Sequence, residues 1–243
     1  MTLVLLARHG LTAGTGTVLT GRTPGIGLDG RGVAQAKALA ARLAGVRLDA
    51  IVTSPLLRCR QTAEMIAAAM DGHAAAVTED EELAEVGYGD WTGKPIKRLA
   101  KDPMWRVVQV HPSAVRFPGP GGESMPQMQR RAVAAVRKWN ERVGPRGAYL
   151  ICSHGDVIKS VIADSLGMHL DMFQRIQVDP CSLSAIRYTP LRPFLVKMND
   201  TGGDVTSLVR ADPAAARTQE AKPPPARASH AEGDAVIGGG AGG

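Results

Sequence analysis

The chain has 243 residues, of which 44% are hydrophobic and only 4% aromatic, the make-up of one ordinary soluble domain with a core of aliphatic side chains. A formal net charge of +6 would suit nucleic acid, but the arginines are scattered and no basic run is interleaved with aromatics, so that partner is excluded and a small anionic substrate accounts for the excess. Cys59, Cys152 and Cys181 are an odd number without metal-ligand spacing, as expected of reduced thiols in a cytoplasm.

The N-terminus is apolar for only a few residues before Arg8, so it reads as a buried first strand and not as a signal segment or a membrane span. Residues 3–7, 49–53 and 148–152 are short apolar runs of the kind buried on both faces of a parallel sheet. Residues 31–43 carry Val33, Ala36, Ala40 and Leu43 on one helical stripe, and Ser54-Pro55 reads as the cap of a second helix bearing Cys59, Ala63, Ile66 and Met70. Residues 94–101 place Lys94, Lys97, Arg98 and Lys101 along an expected lid helix. The longest stripe runs over residues 124–143 through Met125, Met128, Ala132, Ala135, Trp139 and Val143, and Gly144-Pro145 ends it. Further elements follow at 155–167, 181–188 and 194–198. This alternation predicts a three-layer α/β/α sandwich with a mostly parallel central sheet, in residues 1–210. From about Pro213 the composition turns to Ala, Pro and Gly, so residues 211–243 are expected to form a disordered tail.

In such a sheet, reactive groups gather at the carboxyl ends of strands. His9 directly follows the first predicted strand, and His154 directly follows the run ending at Cys152. Arg8 stands at the same rim, and Arg58 lies one turn into the helix after another strand. Guanidinium forks match phosphate oxygens, and two arginines with a second histidine supply the stabilisation that a metal ion supplies elsewhere. No metal or other cofactor is therefore called for. A proton donor is needed for the leaving oxygen, and the glycine-rich stretch 83–93 offers Glu85, with Glu79, Asp80, Glu81, Glu82 and Asp90 nearby. Spacing alone does not choose among these carboxylates.

These blocks resemble the histidine phosphatase (phosphoglycerate mutase-like, branch 1) superfamily. Arg8-His9-Gly10-Leu11-Thr12 resembles its R-H-G-x-T opening, and Ser54-Pro55 with Arg58, Gln61, Thr62 and Ala63 resembles its S-P-x-x-R-x-x-Q-T-A helix. Glu85, Tyr88, Gly89, Trp91 and Gly93 resemble its acid loop, Gly121-Gly122-Glu123-Ser124 its G-G-E-S turn, and Ser153-His154-Gly155 its second histidine. The resemblance implies that His9 accepts the phosphoryl group, that Arg8, Arg58 and His154 hold it, and that Glu85 is the proton donor. It also implies a hydrolase acting on a small phosphate ester, with a phosphoglycerate-type mutase as the alternative and an inactive phosphate-binding relative as a third reading. Glycerate mutases of this superfamily carry an arginine soon after the acid-loop glutamate and a longer basic insertion, whereas here Val86-Gly87 follows Glu85 and only residues 94–117 intervene. That favours a phosphatase.

The family usually has asparagine where Thr15 stands, inside a stretch rich in glycine and threonine. Thr15, Thr20 and Gly21 are candidate substrate contacts, against the competing reading of a flexible loop. Arg22, Arg60, Arg116 and Arg175 are read as surface, and oligomeric state stays open, a homodimer included.

Overall fold

The computed structural model describes residues 1–70 and 76–202. Strands β1 (Thr2–Arg8), β2 (Ala50–Thr53), β3 (Val77–Glu79), β4 (Ala148–Ser153), β5 (Leu183–Tyr188) and β6 (Pro193–Asp200) form one sheet ordered β3-β2-β4-β1-β5-β6. The first four in that order are parallel, β5 runs antiparallel to β1, and β6 antiparallel to β5.

Strand alternation builds the layers. Val4 and Leu6 of β1, with Tyr149 and Ile151 of β4, face a core shared with helices α5 (Met125–Val143) and α6 (Gly155–Ser165). Leu5, Ala7, Leu150 and Cys152 point the opposite way, onto α1 (Gly30–Leu43) and α2 (Leu57–Ala68). The two central strands are thus buried on both faces, which is why residues 3–7 and 148–152 are unbroken apolar runs. The three-layer arrangement expected from the sequence is the one observed.

Helix α5 begins with a capping box: Ser124 Oγ accepts from the Gln127 amide at 3.3 Å while Gln127 Oε1 accepts from the Ser124 amide at 2.9 Å. It buries Met125, Met128, Ala132, Ala135 and Trp139, so the methionine stripe is core, and it stops at Gly144.

Two local expectations are modified. The helix expected over residues 94–101 is present but shorter, α3 (Ile96–Leu99), and a separate α4 (Pro103–Val110) follows it, capped by Asp102 with Pro103 in its first turn. Ser54 does not cap α2, whose cap position is Leu56 with no side-chain bond. The sheet also gains β3, three residues at its edge, too short and polar to stand out in the sequence. The anticipated tail at 211–243, like His73 and His230, lies outside the described residues. Among the described residues no helix is long and apolar enough to cross a membrane.

Candidate active site

Parallel pairing places Arg8 opposite Ser153, so the residues that follow each strand, His9 and His154, leave the sheet side by side. Their ring centroids are 5.2 Å apart in an edge-to-face arrangement. Both are buried, as are Arg8, Arg58 and Glu85. Gly10 is required behind His9: a Cβ there would come within 2.6 Å of the Gly32 carbonyl oxygen in α1.

Arg58 is the hub. Its Nε donates to His9 Nε2 at 3.2 Å, and its Nη2 donates to the Gly21 carbonyl at 2.8 Å and to His154 Nδ1 at 3.2 Å. Its buried Nη1 has no hydrogen-bond partner within the protein, which leaves a charged donor for an anion. Arg8 reaches the other side, with Nη1 donating to the Val178 carbonyl at 2.7 Å.

These partners set the histidine tautomers. A carbonyl only accepts, so the 2.7 Å contact of His9 Nδ1 with the Gly10 oxygen puts the ring proton on Nδ1 and the lone pair on Nε2. Arg58 only donates, so His154 Nδ1 accepts and its Nε2 donates to Ser54 Oγ at 2.8 Å. Burial, followed by the charges of Arg58 and Arg8, holds His9 well below the ordinary imidazole range. Burial and then Arg58 do the same to His154. Both rings are neutral.

The acid loop packs over this pair. Of the six carboxylates left open by spacing, Glu85 alone is buried. Its Oε1 accepts from the Val86 amide at 3.0 Å, and its Oε2 lies 3.8 Å from His154 Nδ1. Burial, then the negative charge of Asp156, pushes its pKa up to about 7 against the pull of Arg58 and Arg8. Ser153 Oγ anchors the loop by donating to the Leu83 carbonyl at 2.7 Å.

The outer side is clamped by residues that sequence reasoning read as surface or did not single out. Arg131 donates to the Glu82 and Glu85 carbonyls at 2.6 and 3.0 Å and pairs with Glu123 at 2.7 Å. Arg22, expected to be mere surface, donates to the same Glu85 carbonyl at 2.6 Å and to Glu123 at 3.0 Å. Arg60, by contrast, pairs with Glu79 at the surface, and Arg116 and Arg175 are exposed. Trp91 packs with Trp105 and Phe117, which pins its loop to the domain.

The loop candidates divide. Gly21 serves through its carbonyl on Arg58, with φ at +50° and a missing Cβ that would press on the Tyr88 ring at 2.9 Å. Thr15 spends its hydroxyl within its own turn, accepting from the Thr12 amide at 3.0 Å. Thr20 is half-buried, its carbonyl accepting from the Thr23 amide. Ser54 is the clearest omission: read as a helix cap, it supports His154, and nothing in a Ser-Pro dipeptide distinguishes the two roles.

The model of the histidine phosphatase superfamily (branch 1) matches residues 4–201. The chain belongs to that superfamily. This histidine phosphatase is 31% identical to phosphoserine phosphatase 1 of Hydrogenobacter thermophilus over 72% of its own length and 81% of that protein's. It is also 31% identical to a protein of Yersinia enterocolitica named a probable phosphoglycerate mutase, over 86% and 95% of the two chains. The phosphoserine phosphatase of Entamoeba histolytica, solved with phosphoserine, superposes with a TM-score of 0.72 at 25% identity, covering 83% of this chain and 98% of that one. The mycobacterial glucosyl-3-phosphoglycerate phosphatase shares the fold, with a TM-score of 0.71 at 22% identity over 82% and 98% of the chains.

Proposed function

We propose that this histidine phosphatase hydrolyses a small phosphate monoester in the cytoplasm, without a resident metal, through a phosphohistidine on His9. The observation that carries the reading is the neutral His9 ring, its proton held on Nδ1 by Gly10 and its Nε2 facing an arginine with an unsatisfied buried N–H. That is a nucleophile poised against an anion site.

His9 Nε2 attacks phosphorus in line as the ester P–O bond breaks. Arg58, Arg8 and His154 take the phosphoryl oxygens, so Arg58 exchanges its bond to Nε2 for bonds to the substrate. Glu85, a carboxylic acid up to about pH 7, gives its proton to the departing alkoxide. As a carboxylate it then accepts a proton from the water that attacks phosphohistidine, releasing phosphate and restoring neutral His9. Gly21 positions Arg58, and Thr15 and Thr20 shape the entrance on the substrate side. The three cysteines are free and buried, in keeping with a reducing compartment.

Phosphoserine and phosphoglycerate appear in the names of the relatives, which supports a short ester carrying a carboxylate as the substrate class. A panel of phosphate esters, assayed with and without a bisphosphoglycerate primer and with a chelator, tests the reading. Primer-independent phosphate release that survives chelation is expected. Primer-dependent transfer without release would replace hydrolase by mutase.

A further inference from the structure

Among the described residues, Asp156 is the one buried carboxylate at this rim besides Glu85, and the chemistry above leaves it without a role. It stands two residues beyond His154, in the first turn of α6. Its Oδ2 accepts from the Tyr88 hydroxyl at 2.8 Å, and its Oδ1 lies 4.0 Å from Lys159 Nζ, one turn further along the same helix. Lys159 is itself buried, donating to Gln174 Oε1 at 3.1 Å over the Phe173 ring. A carboxylate, a phenol and an ammonium are costly to enclose. A helix start needs only a short cap and not this arrangement.

Tyr88 shows what the cost secures. It lies three residues after Glu85, and its ring meets Phe117 edge to face at 4.9 Å and closes over Gly21, whose carbonyl holds Arg58. One hydroxyl thus joins the acid loop to the helix that carries His154, while the ring touches the segment that orients Arg58. We propose that Asp156, through its hydrogen bond to Tyr88, is a positioning residue that sets the Glu85 carboxyl over the phosphoryl site and keeps it supplied with a proton. This rests on the assignment of Glu85 as proton donor.

The charges facing Glu85 agree with that role. Arg8 from β1, Arg58 from α2 and His154 at the start of α6 surround the carboxyl, and the two arginines favour its ionised form. Asp156 is the group that opposes them, with Lys159 beyond it partly offsetting its charge. Tyr88 stays a neutral donor, because burial and then Asp156 push its pKa well up.

Two substitutions separate the bond from the charge. Asp156→Asn keeps an oxygen that accepts from Tyr88 but removes the charge, and Tyr88→Phe keeps the charge and the ring but removes the bond. Each is assayed on an alkyl phosphate, whose leaving oxygen needs a proton, and on p-nitrophenyl phosphate, whose leaving group does not. Thermal melts and inhibition by inorganic phosphate monitor folding and the anion site.

Tyr88→Phe is expected to lower kcat/KM on the alkyl ester about tenfold, part of the roughly 100-fold to 10,000-fold that a placed proton donor supplies, with kcat/KM on p-nitrophenyl phosphate little changed, since that ratio reports phosphoryl transfer to His9 and not the later attack of water. Asp156→Asn is expected to move the alkaline limb of the alkyl-ester profile to lower pH. In a Glu85→Gln background neither change should cost more. Equal losses of kcat/KM on both esters, or alkyl-ester kcat/KM values and pH limbs identical to the parent, would overturn the proposal. A parent enzyme that hydrolyses neither ester would instead overturn the functional reading itself.

Discussion

His9 presents its Nε2 to the Nε of Arg58 at 3.2 Å, a donor facing a lone pair and not two cations in repulsion. On the proposed phosphohistidine scheme, removing that lone pair removes the nucleophile. His9→Ala should lose on the order of 10,000-fold or more in kcat, together with the acid-labile label that brief incubation with radiolabelled ester leaves on the parent protein. A substantially active variant would end the phosphohistidine scheme.

Arg58 meets both histidines and Gly21 with a fork that lysine cannot reproduce. Arg58→Lys keeps the charge yet should reduce kcat/KM roughly 100-fold, and competitive inhibition by inorganic phosphate should weaken in parallel. Steady-state kinetics with phosphate titration reads both effects.

The acid form of Glu85 persists to about pH 7, so kcat/KM for alkyl esters should fall as pH rises through that value. Glu85→Gln should remove this limb along with most of the alkyl-ester activity. Stability carries the same signature. Between the ordinary value of 4.5 and about 7 the folded protein holds a proton that the unfolded chain has released, so this group's contribution is present at low pH and is lost as pH rises. Melting temperatures of Glu85→Gln should therefore decline less over that window than those of the parent.

Gly32 packs where a Cβ would strike the Leu11 backbone two residues beyond His9, and its own carbonyl faces Gly10. Gly32→Ala should cost about 1–3 kcal/mol by overpacking, despite the better helix propensity of alanine. Chemical denaturation measures the loss, and activity should fall with it because the strained segment carries the nucleophile.

Arg131 holds the outer side of the acid loop through two carbonyls and Glu123. Arg131→Ala should cost about 1.5–3 kcal/mol, the range for hydrogen bonds to charged groups, and should depress kcat/KM for alkyl esters more than for p-nitrophenyl phosphate. Equal depression of both would assign Arg131 to overall stability.

The sheet was legible because β1 and β4 are buried on both faces, which leaves continuous apolar runs that no other element explains. The two histidines were legible because they end those runs. Glu85 was not separable from its neighbours by spacing, since burial distinguishes it and burial is set by the Ser153 anchor and the Arg131 clamp, contacts distant in the chain. Ser54 and Arg22 were misplaced for a related reason: a serine before proline and an arginine in a polar loop look alike whether they face solvent or a site. The separate helix that follows the 94–101 stretch was readable in principle, because Asp102-Pro103 is a helix start.

Arg58 keeps its buried Nη1 without a protein partner, so it can offer a donor to a phosphoryl oxygen without giving up an existing bond. Whatever phosphate enters, whether on substrate or as product, settles the same donor, so the anion acts as a structural complement as well as a reactant. Occupancy raises the unfolding free energy by mass action, by about 2.7 kcal/mol at a hundredfold excess over Kd. Added inorganic phosphate should therefore raise the melting temperature of the parent, and less so that of Arg58→Lys.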